Sequence, residues 1–225
     1  DAIIKVAAGF EKELKGKGAL TLLKGKILAT LFFEPSTRTR LSFEAAMQRL
    51  GGGVISMASA ESSSAAKGET VADTAMTVAQ YADAIVIRHP RIGSAAEAAE
   101  AADVPVINAG DGAGQHPTQA LLDIYTISKE LGSLKNLKIS LAGDLKNGRT
   151  VHALVEILSL YGAKLYFVSP AILRMPDEIT QNLKSKGIEI VETEDLAYAA
   201  SQTDLVYMTR IQKERFSDLA EYERM

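Results

Sequence analysis

The chain contains no cysteine, so it holds no disulfide and no thiolate zinc site of its own. It has no uninterrupted apolar run near the roughly 20 residues that a membrane-spanning helix needs. Its opening residues, Asp1–Phe10, mix acidic, basic and apolar types and lack the basic start and apolar core of a signal peptide. Histidine is scarce, at three residues, and no metal-ligand spacing links them, so neither metal nor cofactor is expected. Basic runs are also missing, and the net charge is −3, which argues against a general nucleic-acid surface. These absences leave a soluble, cytoplasmic protein as the expectation.

What is present is a chain of 225 residues, 47% apolar, long enough for one large or two small cores. Apolar runs alternate with helical patterns throughout. Strands are expected at 26–33, 54–57, 84–88, 104–108, 137–142, 164–168, 188–191 and 205–208. Helices are expected at 36–50, 69–81, 94–102, 116–131, 149–161, 177–186 and 195–201. Such alternation implies βαβ units. The expected fold is α/β, with two domains, 1–127 and 128–225, each a parallel sheet flanked by helices. Both ends read as abrupt, as in a fragment truncated at its termini.

The positive charges sit at junctions. In Phe32-Phe33-Glu34-Pro35-Ser36-Thr37-Arg38-Thr39-Arg40, Ser36 is placed to cap a helix that Gly51 ends. Two arginines occupy the first turn, where the helix dipole disfavours cations by about 0.3–1 kcal/mol each. A bound anion relieves that conflict through free backbone N–H groups, hydroxyls and a guanidinium. The plainer alternative is a capped helix with solvated arginines. On the first reading the chain is an enzyme for a small phosphorylated substrate.

Other candidates follow strand ends. His116-Pro117-Thr118-Gln119 opens a helix with proline at its first position. There the dipole favours a neutral imidazole able to donate to a carbonyl, and Gln119 can add its amide. His116 as a cap or packing residue is the alternative. Arg88, Arg149 and Arg210 each follow a strand, which suits bidentate recognition of carboxylates or phosphate; singly, each could be a surface ion pair. The small polar stretch 59–67 reads as a mobile loop delivering Lys67, or as a plain solvated loop. Gly110-Asp111-Gly112-Ala113-Gly114 lacks the third glycine of a dinucleotide fingerprint, and no Walker lysine motif occurs, so nucleotide binding is poorly supported.

These motifs together resemble the catalytic chains of the aspartate carbamoyltransferase family, over essentially the whole length. The resemblance rests on 33–44, Lys67-Gly68-Glu69-Thr70, Arg88-His89-Pro90, 108–112, 115–119, 143–152 and 207–215. Ser-Thr-Arg-Thr-Arg is shared with the sister ornithine enzymes, whereas Met208-Thr209-Arg210-Ile211-Gln212 and the Lys67 loop favour aspartate as acceptor. The resemblance implies that Ser36, Thr37, Arg38, Thr39 and Arg88 hold the phosphate of carbamoyl phosphate. His116, Gln119, Thr39 and Arg88 would address its carbamoyl group. Arg149, Thr150, Arg210 and Gln212 would bind L-aspartate. Ser63 and Lys67 would reach a neighbouring subunit's site in a homotrimer, and Glu34 and Arg215 would bridge the domains on closure. It also leaves room for attached regulatory chains. Two departures stand out: the family's His-Pro-Leu-Pro segment is not found, and Ala65-Ala66 precede Lys67. The rival expectations are the sister enzyme with another amine acceptor and a non-catalytic scaffold.

Overall fold

The computed structural model describes residues 2–59, 64–112 and 114–211. The chain divides into two compact units, with the division between Thr118 and Gln119. In the first unit, helix α1 (Ala2–Lys17) precedes β1 (Ile27–Phe32), α2 (Thr37–Arg49), β2 (Gly53–Met57), α3 (Val71–Ala79), β3 (Ala84–His89), α4 (Ser94–Ala101) and β4 (Val106–Asp111). The second holds most of α5 (Pro117–Leu131), then β5 (Lys138–Ala142), α6 (Arg149–Ser159), β6 (Lys164–Val168), α7 (Asp177–Ser185), β7 (Ile190–Thr193), α8 (Leu196–Gln202) and β8 (Leu205–Met208). No described helix is long and apolar enough to cross a membrane.

Each unit carries one parallel four-stranded sheet, ordered β2-β1-β3-β4 in the first and β7-β6-β5-β8 in the second. The central strands are apolar on both faces because helices cover both. On one face of the first sheet, Ala29, Leu31, Ile85 and Ile87 pack with Val71, Ala75, Ala95 and Ala98 of α3 and α4. On the other, Leu28, Phe32 and Val86 pack with Met47 and Phe43 of α2. The period-two alternation along β1 and β3 therefore divides one strand pair between two cores. In the second sheet, Ala142, Tyr166 and Val168 pack with Ala199 of α8.

The expected elements form within a few residues of their expected bounds. The fourth strand departs most: it runs from Val106 to Asp111 rather than stopping at Asn108. Asp111 pairs with His89 across a register shift between Ile87 and His89, so the ladder continues past an irregularity that apolar patterning does not register. The expected loop at 59–67 contains a turn of 3₁₀ helix, Ser64–Lys67, closed by Gly68 N–H to Ala65 O at 3.1 Å.

Two histidines outside the expected site serve the architecture. His152 meets the Leu145 carbonyl at 2.7 Å, and His89 packs against Phe33 in a tilted arrangement with ring centroids 4.9 Å apart. Burial is the main force holding both below the ordinary histidine value of 6.5. As pH falls, the unfolded chain therefore takes up protons at these positions before the folded chain does, and stability drops. Urea unfolding should show stability decreasing from about pH 7 to about pH 5, with a shallower slope in His152→Gln. Equal slopes in both proteins would contradict this account.

Candidate functional site

The strand orders create one switch point in each sheet. In the first, β1 leads outward to β2 on one side, while β3 and β4 lie on the other. In the second, β5 leads to β6 and β7 on one side, and β8 lies on the other. Ligands of open α/β sheets bind beyond the carboxyl ends of strands at such points. The turn 33–40 follows β1, and Arg88 ends β3. Arg149 follows β5, and Arg210 follows β8. Backbone bonds close both pairs: Phe33 N–H donates to Arg88 O at 2.8 Å, and Thr209 N–H donates to Ala142 O at 2.8 Å.

At the first switch point, Ser36 occupies the N-cap position of α2 with extended backbone, φ −159° and ψ 98°. Its hydroxyl makes no cap bond, which corrects the expectation that it serves as the cap. The first turn of α2 holds no acid, so its dipole is uncompensated from within. Its two arginines differ sharply. Arg40 lies 3.3 Å from Ser56 Oγ and 3.7 Å from Glu44, within a polar cluster where Ser56 donates to Glu44 at 2.7 Å beside buried Thr30. Arg38 is exposed, and no described side chain pairs with it. Thr37 is exposed and Thr39 half-buried on the same turn.

Arg88 is buried, yet among the described residues its guanidinium is tied at two points. Nη2 donates to Glu34 at 2.7 Å and Nη1 to the Ala109 carbonyl at 3.3 Å. Its Nε is buried without a hydrogen-bond partner among the described residues, an arrangement that costs free energy unless a ligand completes it. His116 is buried immediately before Pro117, the first residue of α5, as its sequence position suggested.

The turn carrying His116 is held by Asp111, to which the sequence assigned no role of its own. Buried Asp111 accepts from Gly93 N–H at 3.0 Å and from Gln115 N–H at 2.8 Å. One carboxylate thus joins the turn after β3 to the turn before α5. In sequence Asp111 is an acid between glycines, which reads as loop composition.

At the second switch point, Arg149 is the first residue of α6, which also lacks an acid in its first turn. Thr150 follows it, half-buried. The preceding turn is shaped by buried Asp144, which accepts from Asn147 N–H at 2.9 Å and from its Nδ2 at 3.2 Å. Gly143, at φ 115°, lets β5 end directly against Thr209. Arg210 is exposed beyond β8. Gln119 lies on α5 and donates to Asp123 at 3.0 Å. Lys67 is exposed at the end of its 3₁₀ turn, just ahead of α3, which Thr70 caps by accepting from Asp73 N–H at 3.1 Å. Ser63, Gln212 and Arg215 lie outside the described residues.

The first unit thus carries Ser36, Thr37, Arg38 and Thr39 after β1, Arg88 on β3 and His116 between β4 and α5, and the second carries Arg149 and Thr150 after β5 and Arg210 after β8. Two family models match, one to each half of the chain. The carbamoyl-P binding domain of aspartate/ornithine carbamoyltransferase matches residues 1–129, and the Asp/Orn binding domain matches residues 135–225. The chain belongs to the aspartate/ornithine carbamoyltransferase family. It is 59% identical over 220 residues to an aspartate carbamoyltransferase catalytic subunit of Thermococcus gammatolerans, a match covering 98% of this chain and 71% of that protein. The solved catalytic subunit of Methanocaldococcus jannaschii aspartate transcarbamoylase superposes with a TM-score of 0.93 at 54% identity, covering 99% of this chain and 73% of the other. The Trypanosoma cruzi aspartate transcarbamoylase, solved with carbamoyl phosphate, gives a TM-score of 0.89 at 44% identity, covering 99% and 71%.

Proposed function

We propose that this chain transfers the carbamoyl group of carbamoyl phosphate to the amine of L-aspartate, an early step of de novo pyrimidine biosynthesis, using the residues described above. The reading is carried by one observation: both sheets end at a switch point in a helix whose first turn has arginine and no acid. Family membership supplies the substrates that fit these anion sites. Residues 1–127 form the carbamoyl phosphate domain and 128–225 the aspartate domain.

Ser36, Thr37, Arg38, Thr39 and Arg88 bind the phosphate through hydroxyls, backbone N–H groups and guanidinium groups. His116, Thr39 and Arg88 donate to the carbamoyl oxygen, and Gln119 addresses the carbamoyl amide. Arg149, Thr150, Arg210 and Gln212 take the carboxylates of aspartate. The amine attacks the carbamoyl carbon, a C–N bond forms, and the C–O bond to phosphate breaks. The departing phosphate takes the amine proton. Positive groups stabilise the oxyanion and the leaving group, and orientation supplies much of the remaining barrier reduction. The reaction takes place in the cytoplasm.

Ser63 and Lys67 act in the site of a neighbouring subunit within a homotrimer; regulatory chains are further partners to be sought. Carbamoyl phosphate and L-aspartate should yield N-carbamoyl-L-aspartate and phosphate in equal amounts. Faster turnover with L-ornithine would overturn the acceptor assignment. Mixing the separately weak variants Arg38→Ala and Lys67→Ala should restore part of the activity, because one hybrid site then combines an intact Arg38 with a neighbour's Lys67. No recovery on mixing, in trimers shown to exchange subunits, would refute sharing.

A further inference from the structure

Asp123 lies one helical turn beyond Gln119 on α5, half-buried, in a place for which the reaction above has no use. Residues four apart on a helix share a face. Its carboxylate receives two donors: Gln119 Nε2 reaches Oδ1 at 3.0 Å, and the Tyr207 hydroxyl reaches Oδ2 at 3.1 Å. Tyr207 belongs to β8. The contacts therefore run Tyr207–Asp123–Gln119, all within residues 119–208.

A side-chain amide turns about a broad, roughly two-fold torsion, so a free glutamine can offer a substrate either N–H or C=O. The bond to Asp123 fixes which way the amide faces. With one Nε2 N–H given to the carboxylate, Oε1 is held on the other side of the amide as an acceptor, and Nε2 keeps its second N–H. A carbamoyl group carries N–H donors; an acetyl group of the same shape carries none. Burial and the neighbouring charge push the Tyr207 hydroxyl up to about 12, so it stays protonated and donates to Asp123 at neutral pH.

We propose that Asp123 is a positioning residue that locks the Gln119 amide with its carbonyl oxygen available to the substrate, which selects a transferable group bearing N–H over an acyl group lacking it. Tyr207 holds Asp123 in place. This rests on the reading of Gln119 as a carbamoyl-binding residue, and the test separates the two.

The probes are phosphonoacetamide, which carries the amide, phosphonoacetate, which does not, and inorganic phosphate. Each is measured as an inhibitor of the wild-type chain and of Asp123→Ala, Asp123→Asn, Tyr207→Phe and Gln119→Ala. Asp123→Ala should weaken phosphonoacetamide by about ten-fold, the order of one lost hydrogen bond with a charged partner behind it, while phosphate changes by less than about two-fold. Asp123→Asn should recover part of the loss, because its amide oxygen still accepts from Gln119. Tyr207→Phe should give a smaller loss of the same selectivity, and it decides the matter if Asp123→Ala does not fold. Equal weakening of all three probes, or no weakening in either Asp123→Ala or Tyr207→Phe, overturns the proposal. If Gln119→Ala weakens phosphonoacetamide and the Asp123 variants do not, this inference alone fails. If Gln119→Ala is itself neutral, the reading of Gln119 fails with it.

Discussion

Arg38→Ala should lower kcat/KM for carbamoyl phosphate by about 10²–10³-fold, the usual consequence of removing one strong charge-stabilising donor from an active site. The same change should leave the thermal midpoint where it is. Arg38 is exposed, and no described side chain pairs with it. Removing it also takes a cation from the first turn of α2, where the dipole disfavours one. Folding therefore has no use for Arg38, and any large effect has to come through a ligand. Steady-state kinetics and differential scanning calorimetry on one preparation separate these outcomes. A fall in midpoint that accounts for the lost activity would mean that Arg38 supports the fold instead. Arg40→Ala makes the contrast, since Arg40 lies against Ser56 and Glu44, and its loss should act on the α2–β2 contact more than on phosphate affinity.

Gly143→Ala should damage both folding and aspartate binding. The backbone there sits at φ 115°, a region that an L side chain rarely adopts, and a Cβ would collide with the Thr209 carbonyl oxygen. Strain and overpacking each cost about 1–3 kcal/mol, so a loss of about 2–5 kcal/mol is expected. The obstacle is backbone, so no side-chain rotation relieves it. Relaxation has to part β5 from β8 at Ala142–Thr209, and Arg210 is the next residue along the chain. In protein that still folds, KM for aspartate should rise by about ten-fold or more while KM for carbamoyl phosphate changes little. Chemical denaturation and two-substrate kinetics test both parts. A wild-type midpoint together with a wild-type aspartate KM would show that the close approach of the two strand ends is unimportant.

These two residues illustrate what can be read without a structure. Arg38 was legible because its chemistry is local. A cation in the first turn of a capped helix conflicts with the dipole, and that conflict is visible in consecutive residues. The same locality made Pro117 a reliable marker of the start of α5 and Arg149 of the start of α6. Gly143 was not legible in this way. A glycine after a strand reads as a turn, and its need for empty space comes from Thr209, 66 residues later. Asp111 and Asp123 were missed for the same reason, since their partners Gly93 and Tyr207 are distant in sequence. Ser36 shows the converse error: its position at the helix start was right, but a capping propensity does not decide where the hydroxyl bonds.

By itself the sequence determined the α/β alternation, the places where strands hand over to helices, and the arginines that stand at those junctions, because period, capping and dipole effects act over a few neighbouring residues. Only the tertiary structure decided the strand orders β2-β1-β3-β4 and β7-β6-β5-β8. Strand order depends on which apolar faces pack together across long stretches of chain, and it is that order which sets the ends of β1 beside β3 and of β5 beside β8. Arginines that were separate hints along the chain thereby became paired strand ends, with the buried carboxylates of Asp111 and Asp144 holding the turns beside them.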